Sequence, residues 1–155
     1  MPGTTENPQD DPLALERQVC FALAVASRTV ISVYRPVLEP MGLTHPQYLV
    51  MLALWGEEPL SVMQLSRMLE LDAGTLSRLL KRLEAAGLVR RDRNPEDERS
   101  LAVVLTPQGS RLRKRALAVP GTILERLDMD LDDLVALRDR LTEVIGAAKA
   151  AALQS

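Results

Sequence analysis

The chain has 155 residues, a net charge of −2, 46% hydrophobic residues and 3% aromatic ones, which point to one domain with a core of Leu, Val, Ala and Met. One cysteine excludes an intramolecular disulfide and a zinc site built on several thiolates; with one histidine, no paired carboxylates at useful spacing and no glycine loop, no catalytic constellation is found, and neither enzyme activity, cofactor nor metal is expected. No apolar run is read as reaching the ~20 residues that span a bilayer, and the acidic, Pro-rich residues 1–12 are unlike a signal peptide, so a cytoplasmic protein with a short disordered tail, away from membranes, is expected.

Residues 13–38 carry apolar side chains on a helical period. Phe21, Leu23, Val25, Val30, Ile31 and Val33 cover more than one face, which predicts that part of this helix buries against another subunit. Pro36, Pro40 and Gly42 break the pattern. Thr44-His45-Pro46-Gln47 is a capping-box pattern with proline in the first turn, opening a helix through Tyr48, Leu52 and Trp55. Ser61-Val62-Met63-Gln64 repeats that logic for a short helix to about Leu69, with Leu65 and Met68 expected inward. A three-residue turn, Glu70-Leu71-Asp72, joins it to a basic helix, and the pair reads as a helix-turn-helix.

That basic helix has its own start and stop: Asp72 can accept from the first free amides, and Gly87 can close the end in the left-handed conformation. Leu76, Leu79, Leu80 and Leu83 repeat at helical spacing and face a core. Thr75, Ser77, Arg78, Lys81 and Arg82 are left outside. Leu88-Val89-Arg90-Arg91 and Leu101 to Leu105 then read as two strands around a charged loop, a β-hairpin wing. Between Arg78 and Arg115 there are eleven Lys/Arg against five Asp/Glu, a local +6 that leaves −8 elsewhere. Phosphate contacts dominate affinity for nucleic acid, so this local patch matters more than the net charge. A helix for the major groove with a wing for the neighbouring minor groove is a reader of double-stranded DNA.

Thr106-Pro107 starts a further helix that ends or kinks at Pro120. Asp128 or Asp130 caps a last helix, with Leu134, Leu137, Leu141, Val144 and Ile145 on one stripe. The fold is therefore expected to be mainly α with a small β-hairpin wing, one domain over residues 13–155. Its winged helix-turn-helix spans about residues 44–106, and terminal helices span about residues 13–38 and 107–152.

This order resembles the MarR family of bacterial winged-helix regulators over nearly the whole chain. Asp97-Glu98-Arg99-Ser100 followed by Val104-Leu105-Thr106 is similar to the family's wing pattern, and Gly74-Thr75-Leu76, Leu79 to Glu84 and Gly87-Leu88-Val89 are similar to its recognition helix. The resemblance implies a homodimer joined through the first and last helices on a pseudo-palindromic operator. It places Arg99 in the minor groove with Asp97 positioning its guanidinium. The family position matching Ala73 often carries a hydroxyl, so one contact is absent here.

Leu15-Glu16-x-Gln18-Val19-Cys20-Phe21, Tyr34-Arg35-Pro36, Pro46-Gln47-Tyr48 and Val119-Pro120-Gly121-Thr122 further resemble the organic-hydroperoxide-sensing repressors of that family, in the branch with a single cysteine. The resemblance implies that Cys20 is the sensor, oxidised by organic hydroperoxide and then capped by a small cellular thiol. It implies that two phenols support the sulfur, at positions matching Tyr34 and His45, the second of which departs from the pattern. An imidazole there adds positive charge when protonated, or else His45 is an exposed first-turn residue. Fourteen residues put Cys20 and Tyr34 ~21 Å apart on one helix, so contact requires a second subunit. The alternative reading is a repressor released by a small aromatic or phenolic ligand, with Cys20 incidental. A winged helix that binds protein instead is disfavoured by the polar and basic face from Thr75 to Arg82.

Overall fold

The computed structural model describes residues 11–94 and 97–154, and their side chains except at residues 94 and 97–100. Nearly all of the expected tail over residues 1–12 lies outside the described residues, as do the side chains of Asp97 and Arg99.

The first long helix, α1 (Val19–Leu38), begins later than its apolar period predicts. Ahead of it Leu15–Arg17 form a 3-10 turn, where the Gln18 side-chain amide donates back to the Pro12 carbonyl at 2.8 Å and the Ala14 carbonyl at 3.1 Å. At its other end α1 continues only two residues past Pro36. From Val19 to Met41 the chain is long and apolar enough, by length and composition, to cross a membrane, contrary to the expectation that no such segment exists. Arg28 and Arg35 interrupt it, and its surface is mostly exposed within one chain, which fits a helix that pairs with a partner.

Gly42, at φ 72°, turns the chain into α2 (His45–Gly56). The Thr44 hydroxyl accepts from the Gln47 amide, and the Gln47 side chain accepts from the Thr44 amide. Next come β1 (Leu60–Ser61) and α3 (Val62–Leu69), which the reciprocal Ser61 and Gln64 bonds cap in the same way. Leu65 is buried, but Met68 is 52% exposed. Val62, Leu65 and Leu69 form the inward stripe of this two-turn helix, and Met68 lies off it.

The basic helix α4 (Ala73–Ala85) buries Leu76, Leu79, Leu80 and Leu83. It ends in a Schellman turn: Gly87, at φ 74°, donates to Glu84, and Leu88 donates to Leu83. Strands β2 (Val89–Asn94) and β3 (Asp97–Leu105) follow as the wing. β3 is the centre of an antiparallel sheet of order β1-β3-β2, with Leu60 opposite Val103 and Val89 opposite Leu105. The helix after the wing stops before Pro120, giving α5 (Pro107–Ala116), α6 (Val119–Leu127) and α7 (Leu131–Ala152) where two helices were expected. Proline takes the second position of α6, where its missing amide costs no helical bond. Asp130 caps α7, and Asp128 closes α6 in the left-handed conformation.

Gly109 joins the wing to the upper helices. Its amide donates to the Thr106 hydroxyl at 3.0 Å, and its carbonyl accepts from the Trp55 indole at 3.0 Å. A side chain there would overlap the Leu88 carbonyl. The core runs from Leu38 and Met51 through Leu65 and Leu80 to Leu112 and Ile123, while no residue of α7 is buried within the chain.

Candidate nucleic-acid interface and sensor site

The leucines of α4 fix which face it shows. Arg78, Lys81 and Arg82 are exposed on that face, and Thr75 and Ser77 are half-buried at its edge. Asp72 caps the helix with one oxygen on the Thr75 amide and the other on the Thr75 hydroxyl, each at 2.8 Å. The hydroxyl's one proton is thereby used, so Thr75 is left with lone pairs to offer a base edge. The Thr75 amide first, and its hydroxyl second, hold the Asp72 carboxyl below the usual carboxylate range.

The chain also ties α4 to the wing through a contact that no local motif announces. Arg91 on β2 forms a partly buried ion pair with Glu84 near the end of α4. The signal was available in Glu84 and Arg91 flanking the Gly87 turn, but their meeting depends on the hairpin's register. Farther out, Arg90 pairs with Asp92 at 2.9 Å, which reduces the free positive charge of the wing. A third ion pair joins Lys149 of α7 to Glu70 in the helix-turn-helix turn.

Cys20 is exposed and is the second residue of α1. No side chain caps that end of the helix. Tyr34 and His45 come together at the other end of α1, their ring centroids 5.0 Å apart and edge-on. Tyr48 joins them at 6.1 Å from Tyr34; burial first and Tyr34 second raise its phenol above the ordinary tyrosine range. Cys20 is not brought to this cluster within one chain, because the length of α1 separates them.

Burial lowers the His45 imidazole from the ordinary histidine value of 6.5. It is therefore neutral at pH 7 within the chain, which removes the positive charge that a protonated imidazole would add. Because the unfolded chain binds this proton more tightly, His45 makes stability fall as pH drops below about 6.5. Thermal unfolding between pH 7 and pH 5 should show a smaller loss in His45→Gln than in the wild type; equal losses would remove His45 from the acid response.

Two clefts flank this cluster. One, of about 260 Å³, lies between α2, α5 and α6 and is lined by Tyr48, Leu52, Trp55, Arg113, Leu117 and Pro120 among others. The other, of about 320 Å³, lies where α1 meets α2, with Ile31, Arg35, Glu39, Leu43, His45 and Pro46 in its walls.

Comparison with known proteins agrees with this architecture. A sequence model described as MarR family matches residues 43–101. The chain is 43% identical to the organic hydroperoxide resistance transcriptional regulator of Bacillus subtilis (strain 168) over 131 residues, 84% of this chain and 89% of that one. It is 45% identical to the HTH-type transcriptional regulator TtmR of Methylorubrum extorquens (strain PA1), covering 88% of this chain and 70% of that one. The structure of reduced AbfR bound to DNA, a Staphylococcus epidermidis protein, superimposes with a TM-score of 0.70 at 33% identity, covering 86% of this chain and 94% of that one. These relatives are regulators and not enzymes. With its helix-turn-helix, its wing and these relatives, the chain belongs to the MarR family of transcriptional regulators.

Proposed function

We propose that this regulator is a homodimeric, cytoplasmic repressor that leaves a pseudo-palindromic operator when an organic hydroperoxide oxidises Cys20. The observation that carries this reading is the pattern of α1. Cys20, Leu23, Ser27, Val30 and Tyr34 recur at alternating steps of three and four, so they share one stripe of the helix. Leu23 and Val30 of the stripe, and Phe21 and Ile31 next to it, are all exposed within the chain. The two ends of the stripe, Cys20 and Tyr34, are each seven residues from the small residue Ser27. If two copies of α1 cross antiparallel there, Leu23 meets Ile31, Ala24 meets Val30, and Cys20 meets Tyr34. Each end lies seven residues, ~10 Å, from the crossing. A two-fold axis thus gives each sulfur the Tyr34 and His45 cluster that its own chain holds out of reach.

In that setting the Cys20 thiolate attacks the outer peroxide oxygen. The S–O bond forms, the O–O bond breaks, and the departing alkoxide takes up a proton to become the alcohol, while the sulfur is oxidised to sulfenic acid. A small thiol then caps it. The added bulk beside the dimer axis changes the spacing of two α4 helices that a two-fold operator requires ~34–36 Å apart. Thr75, Ser77, Arg78, Lys81 and Arg82 face the major groove in this reading, and Asp97 and Arg99 serve the minor groove. The exposed apolar residues Leu137 and Val144 and the half-buried Leu134 and Leu141 of α7 complete the dimer.

After one equivalent of organic hydroperoxide and excess thiol, mass spectrometry should find a mixed disulfide on Cys20, and operator affinity should fall in proportion to it. Cys20→Ser should bind the operator and ignore the oxidant. Release of DNA from protein with an unmodified Cys20 would overturn the mechanism. The cleft of Tyr48, Trp55 and Arg113 favours a second reading, in which a small aromatic anion is the inducer. Cys20→Ser protein that still responds to such a ligand would support it.

A further inference from the structure

The cleft between α1 and α2 holds a pair of opposite charges that do not use each other. Arg35 in the last turn of α1 and Glu39 just past its end are both exposed in its wall, four residues apart, a spacing that commonly gives an ion pair where the helical backbone continues. Among the described residues neither side chain has an ion pair or hydrogen bond. His45 in the same wall is neutral, so Arg35 is the cation of this cleft and Glu39 its anion. Ile31, Leu43 and Pro46 supply apolar walls. A cleft with separated cation and anion over apolar walls is complementary to a small zwitterion and less so to a neutral molecule or a simple anion.

This matters because the chain has one cysteine and takes its second sulfur from outside. The crossing of α1 about Ser27 that sets Cys20 against Tyr34 also sets Val19 against Arg35, one residue farther along. We propose that Arg35 and Glu39 bind the carboxylate and the ammonium of an amino-acid thiol and present it to Cys20 of the second copy. The inference rests on the oxidation of Cys20 and names the class of thiol that follows it. In the capping step the thiol's sulfur attacks the sulfenic sulfur. The S–S bond forms, the S–O bond breaks, and the leaving hydroxide takes the thiol proton to become water. No further oxidant is needed, since the hydroperoxide has already been reduced to its alcohol.

The full-length protein, oxidised with one equivalent of a neutral hydroperoxide such as cumene hydroperoxide, tests this with four thiols. These are cysteine, N-acetylcysteine, cysteine methyl ester and mercaptoethanol, each rate of adduct formation on Cys20 being corrected for the thiolate fraction. Cysteine should react about tenfold faster than each blocked form, which corresponds to ~1.4 kcal/mol. Arg35→Gln should abolish the preference over the methyl ester alone. Glu39→Gln should abolish the preference over N-acetylcysteine alone. Mercaptoethanol should react equally with all three proteins, which a merely structural disturbance would not allow. Equal corrected rates for all four thiols in the wild type, or preferences that survive both substitutions, would overturn the zwitterion site while leaving Cys20 as the sensor. No adduct with any thiol would overturn both.

Discussion

Simultaneous replacement of Arg78, Lys81 and Arg82 by alanine is expected to weaken operator binding at least 100-fold and leave the fold intact. All three side chains are exposed, and the four leucines that hold α4 in the core are untouched. Alanine is also the best helix former, so the helix should persist. A side chain that reads a base edge contributes ~1–3 kcal/mol, so three contacts at the lower bound already give ~3 kcal/mol, or roughly 100-fold. Contacts to phosphate would show themselves differently, each lowering the slope of log affinity against log salt by about 0.9. Titration of operator and unrelated DNA at several salt concentrations separates the two roles. Unchanged affinity for both, with unaltered circular dichroism, would take α4 out of the groove.

Gly109→Ala should cost more stability than most single substitutions in this chain. The added carbon would overlap the Leu88 carbonyl, which belongs to backbone that already accepts from the Thr106 amide at 3.1 Å. Neither side can yield cheaply, because moving α5 away also stretches the Trp55 and Thr106 bonds to Gly109. Overpacking of this kind costs typically ~1–3 kcal/mol and here is expected near ~3 kcal/mol. For a chain of this size that lowers Tm by about 6–12 °C. Calorimetry at fixed protein concentration measures it, and a Tm within about 2 °C of the wild type would mean that the junction gives way easily.

Where a signal was local, the sequence carried the structure. Thr44 with Gln47, Ser61 with Gln64, and Asp72, Thr106 and Asp130 all cap the helices their residue types announce, since a cap is a bond across three residues. Where pairing was distant, it did not. β1 is two residues long and exists because Leu60 lies opposite Val103, more than forty residues away. The start of α1 was misplaced because residues 13–18 share its apolar period, while the Gln18 bonds back to Pro12 and Ala14 leave no trace in periodicity. The cluster of Tyr34 and His45 was half legible: its residues came from resemblance, and its distance from Cys20 from the length of α1. That Tyr34 and His45 touch depends on the turn at Gly42 that folds α2 back along α1. The neutrality of His45 depends on burial, which no short motif encodes.

The bond between Trp55 and Gly109 has a spectroscopic consequence. Trp55 is the one tryptophan of the chain, half-buried in the wall of the aromatic cleft, with its indole held by α5. Emission excited at the red edge of the protein's absorption therefore comes from a single known place, at the seam between the reader's scaffold and the helices above it. A ligand entering that cleft would quench Trp55 before any DNA is released, whereas chemistry at Cys20, at the far end of α1, would alter its emission only as the seam itself moved. The order in which fluorescence and DNA release change after mixing thus separates the two inducers kinetically, in wild-type protein and without a label.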